Sequence, residues 1–133
     1  MRTTAYREHF GWTVNDRENP PHLVLGHNMV ALAMTRTRGG AVLEYLCRTD
    51  THGPVLELDP GTWVFLADSN GLVLGPTDLP DEVKLLGCGV ALPVPMTSKS
   101  AMVRWAVAPN VRQRWLPSLA ALVAAVHATV RFR

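Results

Sequence analysis

The stretch Pro117-Ser118-Leu119-Ala120-Ala121-Leu122-Val123-Ala124-Ala125-Val126-His127-Ala128-Thr129-Val130 decides the fold class of this chain. Pro117 suits a helix entry, and Leu119, Leu122, Val123, Val126 and Val130 recur at i, i+3, i+4, i+7 and i+11, the period of one helical face. The alanines between them favour helix at little cost in side-chain entropy. Such a stripe is too apolar to face water, so Leu119, Leu122, Val123 and Val126 are expected in a core. That core is either the chain's own or one that the last helix shares with a second copy.

Upstream of this helix the period changes. Gly39 and Gly40 precede a second helix, which carries Val42, Leu43, Leu46 and Cys47 on one face and ends near Asp50. A short helix over 3–10, with Ala5, Tyr6, His9 and Phe10 on its apolar side, stops at Gly11. Another is expected over 79–86, because Pro80 suits a first helical position and Asp81 and Glu82 suit a first turn. Between the helices lie short β-prone runs. Trp12 and Val14 start one. Residues 23–25 and 29–34 read as a hairpin turning at 26–28, and 55–58 and 63–66 as a second around Pro60–Gly61. Residues 72–74 extend or follow that second hairpin, and 90–92 and 102–107 form a further pair across the polar loop 96–100. The order predicts one α+β domain over 1–133, with helices packed on a mainly antiparallel or mixed sheet.

Composition supports a packed fold: 47% of the 133 residues are hydrophobic and 18% charged. The longest apolar run, 119–126, is far short of the roughly 20 residues that cross a bilayer. Arg2, Thr3, Thr4, Arg7 and Glu8 leave no apolar centre for a signal peptide, so a cytoplasmic chain without membrane contact is expected. Cys47 and Cys88 lack C-x-x-C spacing and sit among apolar residues, which predicts buried thiols. The net charge is only +2, but no acid follows Glu82, whereas Lys84, Lys99, Arg104, Arg112, Arg114, Arg131 and Arg133 do. This basic part is either a solvated face balanced by acids from earlier in the chain or a surface for nucleic acid.

Signals of catalysis are sparse. Glu57 and Asp59 would share one side of a strand and could hold Mg²⁺, but Asp59 adjoins Pro60–Gly61 and reads equally as a turn residue. His9, His22, His27, His52 and His127 are scattered without zinc spacing, and Cys88 between two glycines has no base in its vicinity. No G-x-S-x-G elbow occurs. No catalytic residue, metal or cofactor is therefore expected. Two anion candidates remain. In Arg36-Thr37-Arg38-Gly39-Gly40 the glycines would let a phosphate approach backbone N–H groups at a helix start, although a glycine turn with two solvated arginines fits as well. Lys99, Arg104, Arg112 and Arg114, beside Trp105 and Trp115, offer a mixture of cationic and aromatic surface suited to phosphates and unstacked bases. Both tryptophans would instead be core if the arginines were merely solvated.

Several segments taken together resemble the N-terminal domain of bifunctional primase-polymerases, in the archaeo-eukaryotic primase superfamily. They are Ala5-Tyr6 with Phe10-Gly11-Trp12 and Val14, Val30-Ala31-Leu32-Ala33-Met34 before Gly39-Gly40, and Pro60-Gly61 with Trp63-Val64-Phe65. Val90-Ala91-Leu92-Pro93 with Pro95, Arg104-Trp105 and Leu116-Pro117 complete the likeness. The resemblance implies the family's α+β fold in degenerate form. Its two metal-binding acids would fall at Ala33 and Thr35, its histidine at Trp63, and the histidine of its proline loop is missing from Pro95-Met96-Thr97-Ser98-Lys99. Two-metal phosphoryl transfer needs carboxylates to clamp the ions, so the resemblance implies a catalytically silent relative. The expectation is a non-enzymatic binding or regulatory module that meets nucleic acid or a nucleotide through its basic C-terminal part. Two alternatives stay open: a nucleotidyltransferase with carboxylates relocated to Glu57, Asp59 or Asp68, and a protein-interaction domain that self-associates through its last helix.

Overall fold

The computed structural model describes residues 3–15, 17, 21–26, 28–58, 61–75, 77–95, 103–110 and 116–130. A five-stranded sheet forms the middle layer. Its strands are β3 (Met29–Thr35), β4 (Val55–Leu58), β5 (Thr62–Asp68), β6 (Lys84–Leu86) and β8 (Val103–Val107), in the order β6-β3-β5-β4-β8. Each neighbouring pair is antiparallel. On one face lie α2 (Arg36–Arg48) and α3 (Leu119–Val130), which also pack on each other. The opposite face is covered by α1 (Thr3–Phe10) and by a second, three-stranded antiparallel sheet of β1 (Thr13–Asn15), β2 (His22–Val24) and β7 (Ala91–Pro93). The α+β class and the antiparallel pairing agree with the sequence reading.

Strand alternation divides the apolar side chains into two cores. Val30, Leu32 and Met34 of β3 and Phe65 and Ala67 of β5 point to the helices and meet Val42, Leu46, Leu119, Leu122 and Val126. Ala31, Val64, Leu66 and Leu56 point the other way, to Tyr6, Trp12, Val14, Leu23 and Leu92. The α3 stripe is thus satisfied within the subunit: Leu119, Leu122 and Val126 are buried and Val123 is half-buried against the same core. Complete burial of a Leu or Val contributes about 1.5–3 kcal/mol, so these positions anchor the helical layer.

Several local expectations give way to tertiary pairing. Residues 23–25 and 29–34 do not form a hairpin, because β3 has β5 on one edge and β6 on the other, with no edge left for β2. The backbone of Leu25 instead bonds residues 89–90, donating to the Val90 carbonyl at 2.9 Å. β7 and β8 are not partners either: β7 is the edge strand of the small sheet beside β2, and β8 the edge strand of the large one beside β4. Residues 79–86 are not helical. A turn in which the Val83 N–H donates to the Pro80 carbonyl delivers β6 to the β3 edge, and ladder bonds outweigh the first-turn preferences of Pro80, Asp81 and Glu82. Residues 72–74 are loop.

Gly39 and Gly40 lie inside α2 rather than before it. The helix begins at Arg36 because Thr35 caps it, its side chain accepting from the Arg38 N–H at 3.3 Å. Gly39 answers a close approach instead of a turn: a Cβ there would sit 2.9 Å from Cε3 of Trp63. Both cysteines, expected in the interior, are free and exposed. No helix among the described residues is long and apolar enough to cross a membrane.

Candidate functional site

The first anion candidate does not assemble as a phosphate cradle. Arg36 is exposed at the start of α2, but its backbone N–H already donates to the Gly61 carbonyl at 2.8 Å. The Arg38 N–H is taken by Thr35. The Arg38 side chain is buried, only 4% exposed, and its guanidinium donates to Glu82 at 2.7 Å. Gly39 lies against Trp63, and Gly40 is half-buried within α2. Arg38 is thus a structural cation, where a solvated or anion-binding arginine was expected. Leaving it unpaired indoors would be costly, and Glu82 supplies its counter-charge.

In the second candidate, Lys99, Arg112, Arg114 and Trp115 lie outside the described residues, as does Asp59. Arg104 is described. It projects from β8 with its side chain 65% exposed, and its Nε donates to the buried Glu57 across the strand pair. The bond from Arg104 holds the Glu57 carboxyl below the usual carboxylate range; burial opposes this, and the Trp63 indole and the charges of Arg104 and Arg36 add to the lowering. Glu57 Oε2 and Trp63 Nε1 are both buried, and neither makes a hydrogen bond of good geometry. Trp105, expected as either nucleic-acid platform or core, is half-buried and donates its indole N–H to Tyr6 Oη at 3.0 Å.

The carboxylates do not converge on a metal. Glu57 lies on the helical face, opposite Trp63 in the ladder, whereas Asp68 alternates with Val64 and Leu66 and belongs to the other face. Among the described residues no group of three or more His, Cys, Asp and Glu could hold an ion. The three positions singled out by the primase-polymerase resemblance also diverge: Ala33 packs with Val64 and Leu66, Trp63 with the helices, and the Thr35 side chain caps α2.

A concavity is present elsewhere. At the seam between the two sheets a cleft of about 300 Å³ is walled by Phe10, Trp12 and Met29 and carries Thr13, Asn28 and Asp68 at its polar side. Gly11, at φ 68°, makes the left-handed step that turns α1 into β1 and brings Phe10 and Trp12 together, ring centroids 4.9 Å apart. Leu116 closes the far wall. The Asp68 N–H donates to the Pro117 carbonyl at 2.9 Å, which ties the chain after the basic segment to the end of β5. Asp68 Oδ1 accepts from the Asn70 N–H at 2.9 Å, orienting the carboxylate. Sequence reading passed over this site. Residues 26–28 read as a simple turn, Gly11 and Trp12 as a helix stop and a strand start, and Asp68 only as one of the acids to which carboxylates could be relocated.

Comparison with protein-family models, curated proteins and solved structures finds no match for this chain.

Proposed function

We propose that the chain is a non-catalytic binding module for a nucleotide or for unstacked bases of single-stranded nucleic acid, received in the seam cleft. One observation carries the reading: aromatic walls at Phe10 and Trp12 face polar groups at Asn28 and Asp68 in a cleft of about 300 Å³. Apolar walls with a few oriented polar groups are the usual character of small-ligand sites. Phe10 presents a half-buried ring for stacking, Asp68 accepts from an exocyclic amino or ring N–H group, and Asn28 both donates and accepts. Arg114 stands two residues before the cleft residue Leu116 in the chain, and Arg112 two before that. A nucleotidyltransferase is disfavoured by the divergence of Glu57 and Asp68 to opposite faces.

The test is fluorescence anisotropy with a labelled single-stranded oligonucleotide over a salt series. Affinity is expected to fall steeply as salt rises, and replacing Arg112 and Arg114 by Ala should flatten the slope by about one per lost phosphate contact. Phe10→Ala should weaken binding by about 1–3 kcal/mol without altering that slope. Folded protein with no salt-sensitive binding at low ionic strength would remove the reading.

A further inference from the structure

Five asparagines occur in the chain, followed by Asp16, Pro20, Met29, Gly71 and Val111, so Asn70 alone precedes a glycine. A backbone nitrogen can attack the side-chain amide carbon of the asparagine before it and close a succinimide ring, and any side chain on the attacking residue hinders the approach. Gly71 has none. At Asn19 the attack is barred, because Pro20 has no N–H to lose.

The fold leaves this dipeptide open. After Asp68 the chain turns back on itself, the Leu72 N–H donating to the Ser69 carbonyl at 2.8 Å. Asn70 and Gly71 hold the two central positions at φ 49° and 80°, the left-handed pair of a type I′ turn, which asparagine and glycine tolerate best. Both are exposed. The Asn70 backbone N–H donates to Asp68 Oδ1 at 2.9 Å, but among the described residues neither the Asn70 side-chain amide nor the Gly71 N–H has a hydrogen-bond partner. Water therefore reaches both reacting groups, and no bond within the protein has to break before they meet.

We propose that Asn70–Gly71 is a self-modification site, at which the folded chain converts Asn70 to isoaspartate and aspartate with water as the co-reactant. The Gly71 nitrogen gives its proton to solvent base and bonds Cγ of Asn70; the Cγ–Nδ2 bond breaks, and the amide nitrogen takes up a proton and leaves as ammonia. Water then opens the succinimide. Cleavage between the Gly71 nitrogen and the Asn70 backbone carbonyl carbon routes the main chain through Cβ and gives isoaspartate, whereas cleavage at Cγ restores the ordinary chain with aspartate. Either product carries a new carboxylate two residues from Asp68. Isoaspartate also adds a carbon to the main chain between Ser69 and Leu72, so the turn loses the geometry of its closing bond. The Ser69 N–H donates to the Asn28 carbonyl at 2.8 Å, and Asn28 and Asp68 both line the seam cleft. The change is thus delivered to the polar side of the cleft, whatever ligand the cleft takes.

The test incubates the whole chain at mildly alkaline pH, with a urea-unfolded sample in parallel, and locates the products by digestion and mass spectrometry. Asn70 is expected to show the mass gain of an NH2-to-OH exchange, mainly as isoaspartate, while Asn15, Asn28 and Asn110 keep their amides over the same interval. The folded chain should convert within about tenfold of the unfolded rate, because an exposed turn opens at little cost in free energy. Asn70→Gln should lose the conversion, since its longer side chain would have to close a larger ring. In the separated isoaspartate form the Leu72 amide should exchange faster than in the parent, with Asn70→Asp retaining the parent's protection. Conversion confined to urea, conversion of Asn70 no faster than that of the other asparagines, or conversion undiminished in Asn70→Gln would overturn the proposal. So would a Leu72 amide equally protected in the isoaspartate form.

Discussion

The two faces of the five-stranded sheet are buried by different chemistry. The helical face is mainly aliphatic at its centre, where Leu119, Leu122 and Val126 of α3 meet Leu32 and the ring of Phe65, and its charges form the pairs Arg38–Glu82 and Arg104–Glu57. The opposite face has aromatic and polar chemistry in its interior. Tyr6 is fully buried between Trp12 and Trp105, donates its hydroxyl proton to the Pro95 carbonyl at 2.7 Å, and accepts from the Trp105 indole. Aliphatic packing is insensitive to pH and intolerant of lost volume, whereas a hydrogen-bonded aromatic centre depends on a correct set of partners. One sheet is therefore held by shape on one side and by a polar network on the other.

The largest effect should come from removing volume on the aliphatic side. Leu122→Ala leaves a cavity at a site 1% exposed and is expected to cost about 2–5 kcal/mol in denaturant melts. A near-neutral result would erase the contrast by showing that the helical layer is loosely packed. On the other face, Tyr6→Phe keeps nearly all the volume but strands the Pro95 carbonyl and the Trp105 N–H, at an expected cost of about 1–3 kcal/mol. Burial raises the Tyr6 pKa, with the Trp105 bond opposing it. Stability from Tyr6 is thus complete below the unfolded tyrosine value of about 10 and declines as pH climbs from there through the raised folded value. The Phe variant should lose this alkaline limb, which a melting series from pH 8 to pH 11 would detect.

The smallest effect belongs to a charge pair of the helical face. Glu57→Gln is expected to cost about 1 kcal/mol at neutral pH, because Arg104 is largely exposed and is resolvated when its partner loses charge. Its signature is acid dependence. The folded Glu57 carboxyl is held low, chiefly by the Arg104 bond, so its contribution is complete above the unfolded glutamate value of about 4.3 and disappears as pH falls through the folded value. The Gln variant should show a shallower acid limb than the parent, with the alkaline limb unchanged. If both variants moved both limbs equally, the acid limb would not belong to Glu57 nor the alkaline limb to Tyr6.

Local signals carried much of the aliphatic side. The period of α3 needs only neighbours within a few turns, and the burial of Leu119, Leu122 and Val126 follows from it. The same holds for α1 with its stop at Gly11, for the end of α2 at Arg48, and for the antiparallel pairing of β4 with β5 across a short turn. The polar centre of the other face was not legible, since Tyr6, Pro95 and Trp105 are distant in the chain and their bonds span 89 and 99 positions. The seam cleft is the same case: Trp12, Asn28 and Asp68 meet only once two sheets have closed.

Arginine roles were misread for a related reason. Composition reports a charge but not its partner, and Glu82 and Glu57 come to Arg38 and Arg104 from 44 and 47 positions away. By itself, then, the sequence determined which segments are amphipathic, where helices α1 and α3 begin or stop, and that the class is α+β, because those properties depend on neighbours along the chain. How the strands other than β4 and β5 pair, which arginines are neutralised and where a ligand-sized cleft opens were decided by tertiary structure alone. A strand's two edges are chemically alike until another strand occupies one of them, and a charge has no fixed role until burial or solvent assigns it.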